Sequence, residues 1–178
     1  MKICIKLKLE VILDMQSTLF PLLKSDAVFS SDRVHRYGLW RVWDEALPKV
    51  LFIGLNPSTA DELKNDPTIR RCISYAKDWG YGGYIMGNIF GFRATDPKVM
   101  KTANDPIGPK NNEWLLKLHN EADLTIGAWG NHGEFMNRGE DVVELIPDLK
   151  CLKITGQGFP SHPLYLKKTL KPIPYSID

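Results

Sequence analysis

Four polar segments, each following an apolar run, hold the residue types with chemical potential in this chain. They are Gly54-Leu55-Asn56-Pro57-Ser58, Asn88-Ile89-Phe90-Gly91-Phe92-Arg93, Trp129-Gly130-Asn131-His132-Gly133 and Ser161-His162-Pro163-Leu164. An asparagine carries donor and acceptor on one planar group; it can orient a water but cannot take its proton. His162 is the side chain type that titrates near neutrality. Arg70, Arg71 and Arg93 offer forked donors suited to phosphate, and the segment after Asn56 leads toward a helix whose amino end favours anions. Plainer readings stand beside these. Asn56 before Pro57 suits an Asx turn, His162 a polar surface loop, the arginines ion pairs with Asp61, Asp66 or Asp96, and Phe90 a core. His132 with Glu134, and Asp61 with Glu62, lack metal-ligand spacing, so neither a metal nor a cofactor is expected.

The elements that must position these residues follow from the apolar pattern. Alternation over residues 3–11 predicts an edge strand, and residues 14–31 a short helix followed by a turn. Two β-rich runs, 34–43 and 49–55, predict antiparallel neighbours joined by a short loop. The second contains Val50-Leu51-Phe52-Ile53, continuously apolar, as in a central strand buried on both faces. Asp66-Pro67 predicts a capped helix ending before Gly80, then a strand over 84–90, a helix over 111–120, a strand over 124–129, a helix over 134–146 and a strand over 149–155. This alternation predicts a three-layer α/β/α fold with a central, mostly parallel four-stranded sheet and right-handed crossovers, plus N-terminal edge strands. Ligands of such sheets settle at the carboxyl ends of the strands, where the four polar segments lie. Residues 1–33 are expected to form an extension packed on a domain of residues 34–178, as one globular unit.

The chain has 178 residues, 43% hydrophobic and 25% charged, with a formal net charge of +2. This fits one domain and carries no basic excess of the kind that marks duplex-DNA binders. Cys4, Cys72 and Cys151 have no paired spacing, which suits a reducing cytoplasm, and no apolar run is long enough to span a bilayer. No membrane partner is expected, and the oligomeric state is open.

Taken together, Gly54-Leu55-Asn56-Pro57, Asn88, Trp129-Gly130 and His162-Pro163 resemble, in type and order, the motifs of the uracil-DNA glycosylase superfamily, nearest its mismatch-specific branch. More closely, Leu55-Asn56-Pro57-Ser58-Thr59-Ala60, Asp66-Pro67-Thr68-Ile69-Arg70-Arg71 and Arg93-Ala94-Thr95-Asp96-Pro97 resemble the family known as domain of unknown function 1643, over roughly residues 37–165. The superfamily resemblance implies roles residue by residue. Asn56 would hold a water, Asn88 would bind the edge of a base, and His162 would donate to an oxygen of the departing base. Gly54, Leu55, Pro57, Ser58, Phe90, Arg93, Trp129 and Ser161 would line the ligand, with Arg70 and Arg71 on phosphate. Asn56 departs from the aspartate of the fastest branch, so hydrolysis should be slow; Leu164 stands where that superfamily has a serine. Two functions remain open: hydrolysis of an N-glycosidic bond in DNA or in a nucleotide, and recognition of a nucleotide or single strand without cleavage.

Overall fold

The computed structural model describes residues 24–58, 60, 61 and 63–177; the strand expected over 3–11 lies outside them. Among the described residues, seven strands form one sheet: β1 (Lys24–Phe29), β2 (Arg36–Val42), β3 (Lys49–Gly54), β4 (Gly83–Asn88), β5 (Leu124–Gly127), β6 (Lys150–Cys151) and β7 (Ile173–Pro174). Their order is β1-β2-β4-β3-β5-β6-β7. The four central strands are mutually parallel, while β1 and β2 on one side and β7 on the other run antiparallel to their neighbours. The fold is thus mixed α/β, with a broader and more mixed sheet than the four-stranded one expected.

β3 occupies the centre, as its unbroken apolar run predicts. Val50 and Phe52 face a cluster with Ile69, Cys72, Tyr75 and Ala76 of helix α1 (Pro67–Asp78). Leu51 and Ile53 face the opposite cluster with Leu115 and Leu118 of α3 (Asn111–Glu121) and Val142 and Val143 of α4 (Arg138–Leu145). Period-two alternation thus splits one strand between two cores. Asp66 caps α1, its carboxylate accepting from Ile69 N at 2.8 Å, and Pro67 takes the first helical position, where its missing N–H costs nothing.

The structure departs from expectation at identifiable places. β2 and β3 are not neighbours: β4, reached through α1, lies between them. Lys24–Phe29, expected as helix and turn, is an edge strand in which the polar Lys24 and Asp26 are exposed. The helix expected over 134–146 begins at Arg138, because Met136 and Asn137 both have φ of 57° and close off the 3-10 turns over Asn131–Asn137. β4 and β5 stop at Asn88 and Gly127, and the strand expected over 149–155 shrinks to Lys150–Cys151. The five-residue helix α2 (Pro97–Lys101), capped by Asp96, was not expected. Among the described residues, no helix is long and apolar enough to cross a membrane.

Candidate functional site

The site is built on the adjacent carboxyl ends of β3 and β4, where Gly54 pairs with Asn88. Ile89 N donates to Gly54 O and Phe90 N to Leu55 O, both at 2.9 Å, so the two loops leave the sheet together. Asn88 continues the face of Tyr84 and Met86 and is 1% exposed. Neither its Oδ1 nor its Nδ2 has a hydrogen-bond partner. A Cβ on Gly54 would stand 3.0 Å from Asn88 Oδ1 and 2.6 Å from Met86 Cε, so the amide occupies the space that glycine leaves open. Asn111 Nδ2 donates to the carbonyls of Asn88 and Ile89 at 3.0 Å each, which holds the backbone beneath the amide. A buried polar group left unpaired costs about 1–3 kcal/mol, so a doubly unpaired carboxamide requires a reason.

Asn88 lines a cleft of about 710 Å³ together with Gly54, Leu55, Asn56, Ser58, Trp129, His162, Arg36 and the first residues of α1. Trp129 is buried, with its indole N–H unpartnered. Gly133 packs against it so closely that a Cβ would fall 2.2 Å from Trp129 Cδ1. His162 caps the short turn Pro163–Tyr165, its Nδ1 accepting from Leu164 N at 3.4 Å. That bond leaves the proton of the neutral ring on Nε2. The residue is exposed overall, yet desolvation of its ring in the cleft lowers the imidazole below its usual range, against an opposing pull from the Asp66 charge.

Asn56 is partly committed to the scaffold. Its Nδ2 donates to Ala94 O at 2.8 Å and to Pro57 O at 3.1 Å, and Ala94 N returns a bond to Pro57 O at 2.9 Å. The loop after β3 is thereby tied to the loop after β4.

Other residues singled out from the sequence lie elsewhere. Pro57 is buried, and Phe90 belongs to the core, 5.6 Å from the Phe135 ring. Arg93 donates to Arg33 O at 3.0 Å, lies over the Phe29 ring and borders a separate depression shared with Ser58. Arg70 bonds Asn65 O, Arg71 bonds Leu166 O, and the Ser161 backbone donates to Lys153 O. None of these six lines the Asn88 cleft. At the amino end of α1, the Asp66 carboxylate already occupies the capping position.

Sequence reasoning missed Arg36. It is 1% exposed at the start of β2, lines the cleft, and donates from Nη1 to Ala60 O at 2.6 Å while its Nε has no partner. Burial pushes its pKa down to about 10, which leaves it charged at neutral pH. The available signal was an arginine at the start of a β-run rich in aromatic and apolar residues.

Among the described residues, no group of three or more His, Cys, Asp or Glu side chains could hold a metal ion. Comparison with protein families finds a match over residues 36–164 to the family described as protein of unknown function (DUF1643). No curated protein and no solved structure matches the chain.

Proposed function

Because the chain belongs to the family described as protein of unknown function (DUF1643), whose match spans every strand-end loop of the cleft, we propose a function for that cleft: it binds a nucleobase through Asn88 and slowly hydrolyses its N-glycosidic bond. The observation that carries the reading is the buried amide of Asn88, a residue that lines the cleft, with both polar atoms unpaired. A base edge presenting one acceptor beside one donor satisfies both at once. The order of the motifs, which resembles that of the uracil-DNA glycosylase superfamily, supports the same reading.

Cleavage would proceed through positive charge on the sugar and negative charge on the departing base. His162, neutral with its proton on Nε2, is suited to donate to an oxygen of that base. Asn56 Oδ1 could orient water, but among the described residues the one carboxylate that lines the cleft, that of Asp66, already caps α1. Slow turnover follows. A second reading, recognition without cleavage, is favoured by the bond of Asn56 Nδ2 to Ala94 O, which makes this residue a strut between loops. Two buried free thiols, Cys72 and Cys151, suit a cytoplasmic setting for either reading.

Base release from uracil-, hypoxanthine- and modified-cytosine-containing oligonucleotides and nucleotides, with protein in excess over hours, separates the two. Release abolished by His162→Ala supports hydrolysis. Release equal in the wild type, Asn56→Ala and His162→Ala means contamination and leaves the binding reading. In either case Asn88→Ala should weaken binding of the base by about 1–3 kcal/mol; an unchanged affinity would remove the base pocket altogether.

A further inference from the structure

The cleft contains a cation that base recognition does not use. Arg36 is almost wholly buried, and among the described residues its guanidinium donates to Ala60 O and forms no ion pair with a carboxylate. Among the described residues, the ionisable groups that act on it are Tyr84, the carboxylate of Asp66, which also caps Ile69 N, and two further arginines, Arg93 and Arg41. A buried charge without a counter-ion is costly, and the cost is relieved by an anion that reaches it from the cleft. Serine and threonine hydroxyls at Ser58 and Thr68 line the same cleft and can donate to such an anion.

Building on the base-binding reading above, we propose that the ligand is a free nucleotide with a terminal phosphate monoester, its phosphate seated against Arg36 while Asn88 pairs with the base. The placement of Arg36 distinguishes this ligand from a strand. Proteins that follow a nucleic-acid backbone present exposed lysines and arginines along a groove. Arg36, 1% exposed and lining the cleft, can be met by a terminal phosphate that enters it. A phosphodiester flanked by nucleotides on both sides is held outside. A cleft of about 710 Å³ lies within the range of about 300–1,000 Å³ that encloses ligands of this size.

Calorimetric titration of the full chain tests this with the common ribo- and deoxyribonucleoside 5′-monophosphates, the matching nucleosides, inorganic phosphate and unphosphorylated single strands. The preferred monophosphate should bind about 10- to 100-fold more tightly than its nucleoside, as expected for charge-assisted hydrogen bonds. Arg36→Met should erase that ratio and Arg36→Lys should reduce it, with circular dichroism confirming that both variants fold. If neither folds, the ratio in the wild-type protein decides. Nucleoside and monophosphate binding alike would overturn the Arg36 seat and leave the base pocket standing. Inorganic phosphate binding with no gain from any base would remove the base reading and leave the anion seat. A single strand that binds more tightly than every monophosphate would overturn the free nucleotide as ligand.

Discussion

The two asparagines of the cleft have the same side chain and opposite circumstances. Asn88 has no partner at either polar atom, whereas Asn56 Nδ2 serves the backbone carbonyls of Ala94, Pro57 and, at 3.5 Å, Phe92. Chemistry alone argues that Asn56→Asp should speed glycosidic hydrolysis, since a carboxylate supports positive charge on a sugar and can accept a proton. The geometry argues first for damage. A carboxylate oxygen would stand against Ala94 O and Pro57 O, at the 2.8 Å and 3.1 Å now spanned by hydrogen bonds. Asn56→Asp should therefore lose about 1–3 kcal/mol of stability at pH 7 in urea unfolding. The loss should shrink near pH 4, where a protonated carboxyl can donate to Ala94 O; a loss independent of pH would refute this role for Asn56. Asn88 was legible in the sequence because a polar residue ends an apolar strand. Arg36 was not, because an arginine opening a β-run looks the same whether its head reaches solvent or turns inward.

At the scale of elements, the legible parts were those with strong periodicity: β3, α1 and α3 lie where their patterns put them. The misplaced parts depend on tertiary contacts. β1 gains its identity by pairing with β2, and β7 by pairing with β6, neither of which local alternation records. The late start of α4 is set by left-handed backbone at Met136 and Asn137, residues that carry no glycine signal there. The pairing of β3 with β4 also explains why the first loop begins with glycine. Gly54→Ala would direct a methyl at Asn88 Oδ1 and at Met86 Cε. The methionine end is flexible and can move aside, so stability should fall by no more than about 1–3 kcal/mol, the usual range for overpacking. The amide, held by backbone bonds beneath it, has less freedom, so base binding should fall by more than stability does. Comparing the dissociation constant with the urea midpoint of Gly54→Ala measures this; full-strength binding would show that the amide does not need the space.

For the molecule as a whole, the sheet separates two apolar cores, and each contains one cysteine: Cys72 on the α1 side and Cys151 on the α3 and α4 side. Both are buried free thiols, and burial raises both pKa values, that of Cys151 to about 11. Thiolate is the reactive form, so neither should react with a thiol reagent at neutral pH while the cores stay closed. β3 contributes alternate residues to both cores, which couples their opening: α1 cannot be released without exposing a strand that the other face also needs. In a Cys4→Ser background, both thiols should become reactive over one urea transition that coincides with the loss of helical circular dichroism, as in two-state unfolding. Mass-spectrometric mapping of the labelled peptides would read the two sites separately. A Cys72 midpoint clearly below that of Cys151 would show α1 opening by itself, and because Pro67, Thr68 and Ile69 line the cleft, the site would then open with it.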